Sequence, residues 1–522
     1  MTLTSRPDAP DAAGPVGYRN RNLILAVMCL ALVMVVASVS MLANGMPHLA
    51  EGLGASQSEQ QWIVDAYALT LAALLLPAGA LGDRYGRRLA LIVGLVIFGG
   101  AAALGATAQD PGTLILFRAL MGIGAALVMP GTLSTITSVF PPEERAKAVG
   151  IWAGFAGTGG TLGLLISGGL LEGFFWGSIF LVTALLALAA LVGVVLVVPS
   201  TKATEHVALD PVGSLLSALG IGLVVLAIIE GPEQGWTSAP TLGSLIVGVA
   251  LIGSFLAYEL RSPAPLLDPR LFRHRGFATG SASLFLQFFA MFGFFFVSLQ
   301  FLQLVLGYSA LTAAVALLPM SAFILPLSVV AGSLAERYGH KVVGGFGLAL
   351  SAAGFGIFAM LGTDSGYWEF LGATLVIGAG AALAMTPATN AIVASLPRSK
   401  QGVASAVNDT SRELGAAFGV AVLGSAFNTG YRNAIEPDLA NLPGRIADQA
   451  REAPAIAIQI ARGLADGTFL DRAAQAAFTS GMRTSLLLGM GLLAIGALYV
   501  WFHGASRDEE IVEDELDVAV EV

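Results

Sequence analysis

The sequence is poor in the residues that build most enzyme and metal sites. It has one cysteine, Cys29. That residue lies in an apolar run, so a disulfide framework and a cysteine-based zinc cluster are both excluded. The five histidines stand apart at 48, 206, 274, 340 and 503, with no His-Glu-x-x-His pair. No Gly-x4-Gly-Lys-Ser/Thr phosphate loop is present, which argues against ATP as an energy source. Charge is scarce as well. Asp, Glu, Lys and Arg make up 12% of the chain, where a soluble domain averages about 25%. An enzyme is not expected, nor is a metal, a bound cofactor or a nucleic-acid partner. What the chain has instead is apolar residues, 56% of 522. An all-α polytopic membrane protein follows. The net charge of -9 is misleading, because Ser506 to Val522 holds eight acids and one base. The body within the bilayer is close to neutral.

The stretch Gly79-Ala80-Leu81-Gly82-Asp83-Arg84-Tyr85-Gly86-Arg87-Arg88 ends one long apolar run. Its glycines permit a tight turn, and its arginines mark a cytoplasmic loop. A partial copy stands at Gly332-Ser333-Leu334-Ala335-Glu336-Arg337-Tyr338-Gly339-His340-Lys341, so the offset is 332 minus 79, or 253 residues. Two such decapeptides, each after an apolar helix, indicate a duplicated membrane protein. Six spans take roughly 190 residues, which leaves room for two more between the halves. The predicted spans are 23–45, 62–82, 89–109, 113–134, 146–170, 177–198, 209–230, 241–260, 277–304, 311–334, 342–361, 368–390, 402–427 and 482–503. With the N-terminus inside, the short outward loops contain no Lys or Arg, and the inward ones hold Arg84, Arg87, Arg88, Arg145, Lys147, Arg261, Arg270 and Lys400. Both termini are expected in the cytoplasm.

The first decapeptide resembles the loop between helices 2 and 3 of the major facilitator superfamily, and the second its counterpart in the other half. Together with the offset, they resemble the fourteen-helix drug:proton antiporter branch. That resemblance implies two six-helix bundles plus two inserted helices. The organisation expected is an N-terminal tail 1–22, a first bundle 23–200, an inserted pair with return segment 201–276, a second bundle 277–503 and an acidic tail 504–522. Residues 428–481 form one long outward loop, with a helical apolar pattern from Ile446 to Leu464. The resemblance implies a proton-coupled exporter of lipophilic or cationic compounds in the bacterial inner membrane, working as a monomer by alternating access and driven by a proton gradient. An exporter of an endogenous metabolite or lipid, and a sensor built on a transporter scaffold, stay open as alternatives.

Acids within spans are the informative residues, because a charge in the bilayer is costly without a partner. Asp65, in Trp62-Ile63-Val64-Asp65-Ala66-Tyr67, resembles the helix 2 acid of quaternary-ammonium exporters. Arg118, in Arg118-x3-Gly122-x-Gly124, resembles the helix 4 arginine linked to proton movement, and it shares the outer half of the bilayer with Asp65. Pairing of the two is one expectation. Asp409 and Glu413 are i, i+4 neighbours with Arg412 between them, deep in helix 13. These five residues are the expected proton-coupling set. Gly79, Asp83, Arg84, Gly86, Arg87, Arg88, Glu336, Arg337 and Gly339 form the expected conformational loops. Asp83 is expected to accept hydrogen bonds from arginines and from a neighbouring helix N-terminus. Ser38, Asn44, Gln287, Phe292, Gln300, Gln303 and Asn408 are the expected cavity residues, the glutamines because an amide facing lipid would be unsatisfied. Gly150-x8-Gly159-x3-Gly163 resembles the antiporter motif of helix 5. The chain departs from the branch at Leu164 and Ser167, where it has proline and glycine, at Ser38, where helix 1 carries an aspartate, and at Gly177, where arginine is usual.

Overall fold

The structure, a computed structural model, describes residues 20–55, 57–199, 210–263, 265–396, 400–439, 442–463 and 467–504. The expectations for residues 1–19 and for the acidic tail from 505 lie outside the described residues. Every regular element described is helical. In order they are α1 (Arg21–Leu53), α2 (Gln57–Tyr85), α3 (Arg87–Gly105), α4 (Pro111–Val139), α5 (Pro142–Leu171), α6 (Ser178–Val197), α7 (Pro211–Gln234) and α8 (Ala239–Glu259). The second part holds α9 (Arg275–Gln300), which runs into a π-helical segment Phe301–Val305, then α10 (Ala310–Ala316), α11 (Leu318–Tyr338), α12 (His340–Phe358), α13 (Tyr367–Ala394), α14 (Gln401–Leu439), α15 (Gly444–Glu452), α16 (Pro454–Gly463) and α17 (Thr468–His503).

Thirteen helical spans among the described residues are long and apolar enough to cross a membrane, with α10 and α11 sharing one crossing. α14 is longer than any of them, at 39 residues. It is less apolar than they are, rich in Gly, Ser and Asn, and it carries Asp409, Arg412 and Glu413. Protein rather than lipid surrounds this helix, since it packs among α2, α4, α7, α9 and α17. Its place inside the bundle makes it the fourteenth crossing.

Each half has its own core. Met28, Leu32, Leu75, Phe98 and Trp152 pack together in α1–α6. An aromatic cluster of Phe294, Phe301, Phe358 and Phe370 fills α9–α17. The halves meet along two seams. On one, α5 lies on α11 through glycines that admit close backbone approach. A side chain at Gly150 would lie 2.7 Å from the Ser328 carbonyl, and one at Gly332 would lie 2.8 Å from the Ala146 carbonyl. Ser321 Oγ donates to Thr161 Oγ1 across this seam at 2.8 Å. The second seam joins α2 to α14. There α7 fills the groove. Ile221 and Val225 of α7 pack with Ala72 and Leu76 of α2, while Val224 and Ile228 pack on Ala421 of α14. α8 lies behind α7, with Gly248 against Val224.

The arginine-bearing helix ends gather at one end of the bundle, called here the arginine end. At the far end the expected loop 428–481 is largely helical, which corrects the predicted ends of its flanking crossings. α14 continues to Leu439 and α17 begins at Thr468. The helical stretch expected from Ile446 to Leu464 is broken at Ala453, whose extended backbone precedes Pro454, as the residue before a proline disfavours helix. The four pieces share a small core. The Tyr431 hydroxyl donates to the Ala450 carbonyl at 2.8 Å, and Arg451 clasps Glu436 and Asp448, each at 2.7 Å.

Candidate functional site

The first decapeptide builds a fastening between the halves. Gly86 ends α2 with φ of 104°, and Gly339 ends α11 with φ of 82°. Both values are strained for any residue with a Cβ, so the two copies turn alike. The Asp83 carboxylate is 2% exposed. It accepts hydrogen bonds from the backbone N–H of Gly402 at 2.8 Å and of Val403 at 3.1 Å. Those amides are orphan donors in the first turn of α14, where the helix dipole also favours an anion. Arg87 holds the carboxylate from the other side, with Nη2 at 3.4 Å, and its Nη1 donates to the Ser134 carbonyl of α4 at 3.1 Å. Arg88 donates to the Val195 carbonyl near the end of α6 at 2.6 Å. A side chain at Gly79 would lie 2.5 Å from the Gly402 carbonyl, so Gly79 is what lets the helices approach. Arg84 is exposed over the Tyr85 ring. In the second copy Glu336 and Arg337 are both exposed, with Arg337 over Tyr338. The repeat is therefore asymmetric: the buried acid belongs to the first copy alone.

Nearer the middle of the bundle, buried polar side chains of α1, α2, α4, α5 and α14 converge. The Arg118 guanidinium is 1% exposed and sits 4.3 Å from the Tyr67 ring centre. Its Nε donates to the Ile63 carbonyl at 2.9 Å. Among the described residues neither Nη atom has a hydrogen-bond partner. The Tyr67 and Ser38 hydroxyls both turn to the Val35 carbonyl, at 3.4 and 2.8 Å. The charged groups bearing on Tyr67 are Arg118 and, from the opposite half, Glu413. Next to Glu413 in the chain, Arg412 is paired with Asp409 at 3.2 Å, both buried. Asn408 donates to the same Asp409 oxygen at 3.2 Å. Arg412 lies over two aromatic faces, Phe288 of α9 at 4.6 Å and Trp152 of α5 at 5.2 Å. Trp152 is fixed in turn by donating to Thr132 Oγ1 at 3.1 Å. A buried arginine held by one carboxylate and two rings is stabilised by charge and by cation–π attraction. Such a cluster responds to any change in carboxyl ionisation.

Several expected residues have other roles. Arg118 gives its Nε to the backbone carbonyl two residues before Asp65, not to the Asp65 carboxylate. Asp65 itself is half-buried and engaged. Gln287 is fully buried, and its side-chain oxygen accepts from Ser351 of α12 at 3.0 Å. It ties two helices of one half together and does not line the space between halves. Gln300 donates to the Phe296 carbonyl of its own helix. Gln303 is exposed in the π-helical segment. Phe292 is half-buried and stacked on Phe288, and Asn44 donates to Ser167 of α5 at 3.0 Å. Of the expected cavity set, Ser38 and Asn408 join the central cluster. Tyr67, Trp152 and Thr132 were not foreseen. A tryptophan between the close-contact glycines Gly150 and Gly154 was the available signal, since it has to point away from the glycine face.

A profile described as the Major Facilitator Superfamily matches residues 28–420. The chain is 34% identical over 479 residues to the multidrug efflux pump LfrA of Mycolicibacterium smegmatis, covering 91% of this chain and 94% of that one. It is 32% identical over 489 residues to the methyl viologen resistance protein SmvA of Salmonella typhimurium, covering 92% and 97%. Its fold resembles the solved structure of the proton:xylose symporter XylE, with a TM-score of 0.61 at 15% identity over 94% of this chain and 98% of that one. Two six-helix halves with repeated arginine loops, a fourteenth crossing that carries the charge and relatives along nearly the whole length agree, and the chain belongs to the major facilitator superfamily.

Proposed function

We propose that this transporter exports lipophilic cationic compounds in exchange for protons, with its arginine end in the cytoplasm of a bacterial cell. The efflux and resistance names of its relatives support the direction and the substrate class. The positive-inside distribution of Arg and Lys supports the orientation. One observation carries the mechanism. Where helix 1 of the branch has an aspartate, this chain has Ser38, and the charged group from the facing half that bears on Ser38's partner Tyr67 is Glu413. The coupling carboxylate has moved across the seam. Glu413 holds either a proton or a cationic substrate, beside an Arg412–Asp409 pair that sets the local field. Its ionisation depends on how far water reaches it and on its distance from the guanidinium. Opening toward either side changes the balance, which links proton release to substrate capture. Asp65, nearer the far end of α2, serves as the outer port for protons, and the gradient is the only energy source required.

The test uses everted vesicles with an imposed pH gradient. Glu413→Gln should abolish concentration of a cationic dye while leaving downhill exchange of a neutral substrate measurable. Asp65→Asn should slow proton-driven export without abolishing it. If Glu413→Gln vesicles still concentrate the dye and Asp65→Asn vesicles do not, coupling belongs to Asp65 and the assignment to Glu413 is wrong.

A further inference from the structure

The inserted helices carry acids that the transport cycle above does not use. Asp210 starts α7 and is 6% exposed; Glu259 ends α8 and is 1% exposed. Asp210 caps α7, accepting from the Gly213 N–H through Oδ1 at 2.8 Å. Its other oxygen, Oδ2, and Glu259 Oε1 face the same point, where a Cβ at Gly213 would lie, and the two carboxyl groups interact. A side chain at Gly213 would collide with both. Leu266 and Leu267 of the return segment are buried, 5% exposed each, beside the pair. Their backbone N–H groups bear on Glu259. Among the described residues Asp210 Oδ2 and both oxygens of Glu259 have no donor.

The charge around the pair is one-sided. α8 contributes the Tyr258 hydroxyl next to Asp210. The return segment contributes Asp268 and Arg270, but Arg270 turns away, pairing with Asp268 at 3.8 Å and donating to the Leu260 carbonyl. Arg261 is exposed. Among the described residues no lysine, arginine or histidine bears on Glu259. Two adjacent buried carboxyl groups without a cation cannot both be ionised at modest cost. Shared between them, one proton supplies a donor and satisfies two of the three orphaned oxygens at once.

We infer that Asp210 and Glu259 form a proton-binding site that latches the arginine end of the α7–α8 pair. The consequence follows from the seam. α7 packs on α2 of one half and on α14 of the other. With the proton bound, the latch is closed and α7 is held in the groove. When the proton leaves, two buried anions repel, Glu259 turns to water, and the inner end of α7 loosens. The site thus senses pH on the arginine side and adjusts how firmly the seam is covered. It uses neither Glu413 nor Asp65, so it stands or falls apart from the coupling reading.

The experiment uses the full chain in nanodiscs with Cys29→Ser. Infrared difference spectra between wild type and Glu259→Gln should show a protonated carboxyl band near neutral pH that wild type alone possesses, and Asp210→Asn should remove it too. Separately, labelling of Leu266→Cys by a water-soluble maleimide should rise about tenfold, after correction for thiolate, as the pH is raised and the shared proton is lost. In Glu259→Gln, which mimics the protonated acid, labelling should stay low and flat. A wild-type band that survives both substitutions overturns the inference. So does labelling that rises equally in Leu266→Cys with and without Glu259→Gln.

Discussion

Replacing Asp83 by Asn removes one charge at the junction of the halves and almost no volume. In the structure the carboxylate takes two N–H bonds at the N-terminus of α14. Hydrogen bonds to charged groups contribute about 1.5–3 kcal/mol each, net of water. The amide of Asn keeps one acceptor oxygen for one of those N–H groups, worth about 1 kcal/mol, and presents its own N–H to the other. The net loss is about 2–5 kcal/mol, or roughly 30- to 4,000-fold in the equilibrium between fastened and open arginine ends. Arg87, 8% exposed, also loses its carboxylate. Spin labels at Leu89 and Lys400, one on each half, report that equilibrium as a distance distribution. Asp83→Asn should shift it toward longer distances and lower turnover at saturating substrate, with binding affinity changed far less. A distribution and a turnover both indistinguishable from wild type would show that the two amide bonds do not set the equilibrium, and the reasoning from geometry to cycle would fail.

Other consequences are as specific. Gly402→Ala places a Cβ 2.6 Å from Asp83 Oδ1; overpacking of about 1–3 kcal/mol should mimic Asp83→Asn in the same distance measurement. Arg84→Ala removes an exposed guanidinium resting on Tyr85 and should lower turnover more than affinity, by less than Asp83→Asn does. A cysteine at Asp448 should react with an impermeant reagent in intact cells; protection of a folded protein there would invert the proposed topology. Arg451 holds the Glu436 carboxyl below its ordinary value through their hydrogen bond. A depressed acid stabilises above its unfolded value and stops doing so as pH falls through its folded one. Protection of α15 amides, relative to their intrinsic exchange rates, should therefore be high near neutrality and fall as pH drops through the depressed value of Glu436, and Arg451→Ala should remove that loss of protection.

Much of the architecture is legible in the residues because lipid enforces simple rules. Arginines in Gly82 to Arg88 and their echo at Glu336 to Lys341 give the duplication, the orientation and the inserted pair. The partner of Asp83 was readable in kind, since an acid at a helix end seeks arginines and free amides, but its address at Gly402 was not. Side-chain partners inside the bundle were harder. Gln287 has the same surroundings in sequence as a cavity amide, and only helix packing shows that it meets Ser351. Arg118 and Asp65 sit at similar depth, yet depth does not fix the angle around a helix, and Arg118 found a backbone carbonyl instead. Asp210 and Glu259 look like ordinary interfacial charges, each at the end of an apolar run. Their adjacency comes from the antiparallel packing of α7 on α8, which no local pattern records. The outer ends of α14 and α17 were cut short because spans were measured against the bilayer, whereas these helices continue past it on one another.

The unbroken length of α14 has a mechanical meaning. Its 39 residues make a rod of about 58 Å, with the Asp83 contact at one tip, Asp409 and Glu413 between about a fifth and a third of the way along, and the Tyr431–Ala450 contact about four-fifths of the way. A tilt of about 5° about its midpoint displaces each tip by about 2.5 Å, enough to break a 2.8 Å hydrogen bond at Gly402. The far tip must swing the opposite way by the same amount. An antibody fragment that grips the α14–α17 extension therefore has leverage on a contact some 58 Å away, and one that clamps it upright would brake the pump without ever entering the substrate path.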